Sequence, residues 1–130
     1  MKLFNYFSVI GGVVGGWVSF LLGGWDALAI CLLSFMILDY VSGILAAVYN
    51  KELNSAKGFK GILKKVAILF AVALSAIITA YLNMPVRDIV VTFFVLNEGL
   101  SIVENLGKIV ELPPIIRRTL ESLRGGNDNG

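Results

Sequence analysis

The stretch ALAICLLSFMILDYVSGILAAVY, residues 27–49, contains a single charge, Asp39. A helix rises about 1.5 Å per residue, so crossing the ~30 Å hydrocarbon core of a bilayer takes about 20 apolar residues. This stretch is long enough. A carboxylate at the centre of such a helix costs about 2.5–3.5 kcal/mol on insertion scales. Asp39 is therefore expected to face other helices or water, or to be protonated. With no Lys or Arg expected at its depth, the candidate partners are Ser75, Thr79, Asn97 and Asn105.

On the N-terminal side, no charge separates Lys2 from Asp26, which predicts a first span over about residues 5–24. A cleavable signal peptide is the rival reading, because Ala27-Leu28-Ala29 resembles a cleavage site. Signal h-regions are about 7–15 residues long, and this region is longer and rich in glycine. On the C-terminal side, residues 66–83 predict a third span. Asn83-Met84-Pro85 then makes a turn, since proline cannot continue a helix. A fourth span over about residues 87–110 carries Asn97, Glu98, Glu104 and Asn105. Leu112-Pro113-Pro114 ends it, residues 115–124 predict a short amphipathic helix, and residues 125–130 a disordered tail.

Composition supports lipid as the solvent. Of 130 residues, 57% are hydrophobic and 15% charged, and the mean hydropathy is +0.83. A soluble domain is about 45–50% apolar and about 25% charged. There is no His and one Cys. An internal disulfide and a Cys/His metal site are thereby excluded. Cys31, inside an apolar run, reads as a packing residue. No catalytic constellation is present. Gly58-Phe59-Lys60-Gly61 is not a phosphate loop, and the glycines near the N-terminus are not a dinucleotide fingerprint. No cofactor is implied.

Charge placement decides the number of spans. Short cytoplasmic loops are enriched in Lys and Arg. Four spans put Lys2, the lysines of residues 51–65, Lys108, Arg117, Arg118 and Arg124 on one side, leaving Arg87 on the other. Three spans, with the fourth lying in the interface, are the alternative, and they strand the C-terminal cations outside. The expected architecture is an all-α integral membrane protein with four spans, both termini cytoplasmic, and the amphipathic helix 115–124.

Three groups of residues are candidate functional elements. Gly11, Gly12, Gly15, Gly16, Ser19 and Gly23 form a small-residue ladder at helical spacing, which lets helices approach closely in lipid. It reads as a self-association face or as packing within one subunit. Asp39, Ser42, Asn97, Glu98, Ser101, Glu104 and Asn105 are intramembrane polar groups. Asn97, Ser101, Glu104 and Lys108 fall on one face, flanked by Glu98 and Asn105. That stripe is suited to line water in an oligomer, to seal against Asp39, or to lie at the interface. Neighbouring subunits or water are expected to shelter these groups. Third, Lys57, Lys60, Lys64 and Lys65 on an amphipathic segment, 54–65, with Arg117 and Arg118, are suited to anionic headgroups at about 1 kcal/mol each. Nucleic acid is not an expected partner, because the segment is too short to present its cations on a fold.

Leu38-Asp39-Tyr40-Val41-Ser42-Gly43, followed by Gly58-Phe59-Lys60-Gly61-Ile62-Leu63-Lys64-Lys65 and an apolar span, resembles the toxin-secretion/phage-lysis holin family of Gram-positive bacteria and their phages. The resemblance covers roughly residues 33–82. It implies a homo-oligomer in the host bacterial cytoplasmic membrane that forms lesions, releases an endolysin or toxin, and works with or against an antiholin. An antiholin, or a non-pore subunit of a membrane complex, is the alternative. The family pattern falls here on Asp39, Gly43, Gly58, Gly61, Lys64 and Lys65.

Overall fold

The computed structural model describes residues 1–128, with side chains through Ser122. Its described elements are helices α1 (Lys2–Leu22), α2 (Ala27–Tyr49), α3 (Ser55–Leu82), α4 (Val86–Gly107) and α5 (Pro114–Asp128). The first four are each long and apolar enough to cross a membrane.

Local sequence sets the helix ends. Asp26 caps α2 by accepting from the Ala29 N–H at 2.9 Å, and Asn54 caps α3 through the Ala56 N–H at 2.8 Å. Gly23 ends α1 in the left-handed conformation, at φ 76. The N–H groups of Gly23 and Gly24 return to the carbonyls of Phe20 and Ser19, the backbone route by which helices commonly close. Gly23 thus belongs to the turn. It does not continue the small-residue ladder of α1.

The first and fourth spans differ from expectation by at most three residues at their ends, and two other boundaries shift further. Residues 54–65, expected as a separate amphipathic segment, are the cap and opening turns of α3, which spans 28 residues. At about 1.5 Å per residue that is about 42 Å, longer than the hydrocarbon core. The opening turns therefore project toward the headgroups while the helix remains one rod. The segment expected as a disordered tail is helical through Asp128, because a helix once nucleated adds a hydrogen bond with each residue it fixes. Residues 129–130 lie outside the described part.

Helix α2 packs most extensively on α4, α3 packs on α4, and α1 reaches the bundle through α3. The apolar core is small: Leu22, Ala29, Leu32, Met36, Ile68, Val72 and Val91. Phe4, Phe7, Trp17, Phe20, Ile37, Phe70, Leu74, Phe93 and Leu96 stay exposed. In water such a surface would drive aggregation. In lipid it is the ordinary exterior of a bundle.

Candidate functional site: a charge cluster inside the bundle

Asp39 stands midway along α2, about 20 Å by helical rise from the Asp26 cap. Its carboxylate accepts from Lys65 Nζ at 2.6 Å, and the same ammonium reaches Glu98 Oε2 of α4 at 2.9 Å. Glu98 is 1% exposed. One lysine on α3 therefore joins acids from α2 and α4. From α4, the Asn105 amide donates to Asp39 Oδ1 and to the Asp39 carbonyl, both at 3.1 Å, and meets Ser42 Oγ at 3.0 Å. Ser42 itself donates to the Asp39 carbonyl at 3.0 Å. The Ser101 hydroxyl also faces Asp39. Among the described residues, no buried side-chain nitrogen or oxygen lacks a hydrogen-bond partner.

This arrangement corrects the expected partners of Asp39. Asn105 is one of them. Ser75 instead donates to the Val72 carbonyl at 2.6 Å. Thr79 donates to the Ser75 carbonyl and accepts from the Val86 and Arg87 N–H groups, capping α4 across the α3–α4 turn. Asn97 is half-buried on α4. The unexpected partner is Lys65, which the sequence places among the headgroup lysines. Lys57, Lys60 and Lys64 are exposed, while Lys65 turns inward. Its position on a continuous α3 lets the four-carbon stem carry the ammonium down to Asp39. Asp39 and Glu98 are thus sheltered from lipid within one chain.

The polar row of α4 is also rotated from the expected one. Glu98, Ser101 and Asn105, at spacings of three and four, turn toward α2 and α3. Asn97 and Glu104 flank them, both half-buried, and Lys108 is exposed at the end of the helix.

The two glycine elements quoted above acquire a steric reason. A Cβ at Gly58 would lie 3.4 Å from Tyr40 Oη, and one at Gly61 3.8 Å from Tyr40 Cε2. Tyr40, next to Asp39, lies over this glycine strip of α3. A Cβ at Gly43 would meet the Asn105 amide nitrogen at 3.5 Å. Small residues thus leave room for the side chains around the cluster, and close approach of α2 to α3 and α4 brings the three charges together.

A second cluster, absent from the sequence-based candidates, ties the opposite end. Arg87, at the start of α4, is 6% exposed. Its guanidinium grips both carboxylate oxygens of Asp26, with the Nη2 contact at 2.9 Å. It also donates to the Leu22 carbonyl at 2.9 Å and to Asp88 at 3.0 Å. The α1–α2 turn is thereby fastened to α4. Arg87 donates every one of these bonds, to the Asp26 and Asp88 carboxylates and the Leu22 carbonyl; a planar fork suits this better than an ammonium. The signal in the sequence was that Arg87 is the lone cation expected on its side, with Asp26 and Asp88 as its available acids.

The glycines of the α1 ladder before the turn leave open space among the described residues. A Cβ built at Gly11, Gly12, Gly15 or Gly16 has no neighbour within 4 Å. A groove of about 450 Å³ runs along Gly12, Val13, Gly16, Trp17 and Phe20. Ser19, half-buried, lies near the turn. Arg117 and Arg118 are exposed on α5, with Arg117 3.6 Å from Glu111.

Comparison with known proteins agrees with this architecture. The model of the family described as bacteriophage holin matches residues 16–125, which include both charge clusters. An uncharacterized protein of Listeria monocytogenes is 37% identical over 92% of this chain and 86% of its own length. An uncharacterized protein of Clostridium perfringens is 33% identical, covering 90% of this chain and 91% of its own. A protein of Bacillus phage phi105, named a probable holin, is 35% identical over 75% of this chain and 74% of its own. No solved structure matches. With four helices able to span a membrane and a family match over most of its length, this multi-pass membrane protein belongs to the bacteriophage holin family.

Proposed function

We propose that the chain accumulates in the bacterial cytoplasmic membrane with both termini inside, associates with copies of itself, and opens a lesion through which an endolysin or toxin crosses. The observation that carries the reading is the pairing of Asp39 and Glu98 on one Lys65 inside the bundle. A polar cluster at membrane depth is costly and marks a functional place. Here it is fully partnered, as a closed state requires. Parting α2 from α4 would turn Asp39, Glu98, Ser101 and Asn105 toward a shared wet surface between subunits. The exposed glycine face of α1 supplies a packing surface for a second copy. The membrane potential acts on the same charges, at about 2.3 kcal/mol per elementary charge per 100 mV, and would help hold the closed form.

Purified protein reconstituted into dye-loaded liposomes tests this. We expect release above a threshold density, earlier when the potential is collapsed. Proteoliposomes that stay tight at every density would reject lesion formation and favour an antiholin or a structural subunit. Release that is indifferent to potential would reject only the role of the field.

A further inference from the structure

At the lysine-rich end of the bundle, a cleft of about 330 Å³ opens between α2, α3 and the end of α4. That is room for about ten waters at roughly 30 Å³ each. Its floor is Asp39 and Lys65, whose charges are already committed to each other. Above the floor, Lys57 and Lys64 from α3 and Lys108 from the end of α4 line one cavity. Among the described residues none of these three forms an ion pair. Glu52 is the one acid lining the cleft above the floor. Ile44 and Leu53, both exposed, supply an apolar lining.

Three lysines without an ion pair among the described residues line one hollow, so their ammonium groups are free to converge on an anion held there. The depth matters as well. About 20 residues of α3, counted back from Leu82, cross the hydrocarbon, so Lys57 lies beyond the boundary and Lys64 at it. Phospholipid phosphates occupy this level. Basic pockets between membrane helices are suited to such headgroups. The apolar lining beside the cations fits an amphiphile better than a free ion.

We propose that this cleft is a binding site for the phosphate of an anionic phospholipid. Lys57, Lys64 and Lys108 surround the phosphate, and the first carbons of the lipid lie against Ile44 and Leu53. The site differs from general adhesion of basic helices to a membrane surface, because Lys60, Arg117 and Arg118 lie outside it. It also stands apart from lesion formation. A subunit that bound lipid and never opened a hole would still satisfy it.

The test is a titration of fluorescent phosphatidylglycerol into the full chain in uncharged detergent, with fluorescent phosphatidylcholine as the headgroup control. Two variants remove the same number of cations: K57Q/K64Q/K108Q from the cleft, and K60Q/R117Q/R118Q from the surface. At about one tenfold step for every one to two lysines, the cleft variant should bind phosphatidylglycerol about 100-fold more weakly. The surface variant should stay near wild type, and phosphatidylcholine should bind weakly throughout. Should the cleft variant not fold, K64Q alone is expected to lose about fivefold. Equal losses in the two triple variants, or equal binding of both lipids, would overturn the site. Displacement of phosphatidylglycerol by millimolar inorganic phosphate would assign the cleft to a free anion and overturn the lipid assignment. Liposome leakage, scored separately, reports on lesions and leaves this result independent.

Discussion

Replacing Lys65 with Met keeps the apolar stem and removes the ammonium that holds Asp39 at 2.6 Å and Glu98 at 2.9 Å. Two acids then face each other with Asn105 and Ser101 as the remaining polar neighbours. Breaking a buried ion pair by deleting one member costs about 3–5 kcal/mol. The side chains here are 15%, 13% and 1% exposed for Lys65, Asp39 and Glu98, and the cleft admits water to the first two. The lower end, about 3 kcal/mol, is therefore the appropriate figure. If it falls on the closed state alone, the closed-to-open balance moves by about 100-fold. The assay is induction in a bacterial host, following a potential-sensitive dye and culture density, with the protein in the membrane fraction quantified. We expect early collapse of the potential at equal or lower protein level. Adding Asp39→Asn and Glu98→Gln to Lys65→Met should restore near wild-type timing, since neutral amides of the same shape need no cation. Wild-type timing for Lys65→Met at matched levels, or no rescue by the triple variant, would refute the reasoning.

At the opposite end, Arg87→Lys keeps the charge and loses the fork onto Asp26; we expect a lower unfolding temperature in detergent by a few degrees, and no change would reduce Arg87 to a point charge. Gly23→Ala places a Cβ 3.0 Å from Ala76 at φ 76 and should cost about 1–2 kcal/mol in the same measurement. Gly11→Leu with Gly15→Leu should leave the unfolding temperature unchanged, because a Cβ at either position meets no other helix within 4 Å among the described residues, yet reduce crosslinked oligomers; full-strength oligomers would discard the α1 face. Asp26 is held below the usual carboxylate range, first by the Arg87 guanidinium and then by the Ala29 N–H. Its stabilising contribution is therefore complete above the ordinary carboxylate value and lost as pH falls through the lowered one. Half-exposure keeps that contribution small, and an acid melting series should show it in wild type and not in Asp26→Asn.

Much of the architecture is legible because lipid imposes a simple demand: about 20 apolar residues per crossing. Residues 27–49 satisfy it at sight, and α2 occupies the same range. That Asp39 must avoid lipid follows equally directly from its cost. The identity of its cation does not. Lys65 sits beside Lys64 in a basic run, and only a continuous α3 with its opening turns beyond the hydrocarbon sends one lysine in and its neighbour out. The polar row of α4 fails for a related reason. One residue rotates a helix face by about 100°, and both 97-101-104-108 and 98-101-105 obey helical spacing. Burial of Glu98 chooses between them, and burial depends on partners remote in sequence. Arg87 was hidden because its bonds are made across two turns, to Leu22 and Asp26, more than sixty residues away.

The two features point to different energetic roles. Were Asp39 and Glu98 stranded in lipid, a single subunit would be unstable and association would be the remedy for its charges. Lys65 and Asn105 already provide that remedy within one chain. Charge therefore gives no reason for a closed subunit to seek a partner. In the proposed reading packing does, along the α1 face where a Cβ at Gly11, Gly12, Gly15 or Gly16 meets nothing within 4 Å among the described residues. Assembly and opening can then be separate steps, the first governed by backbone approach at α1 and the second by the price of parting Lys65 from its acids. Variants on α1 should change how many copies gather without changing the charge cluster. Variants of the cluster should change when a gathered assembly opens.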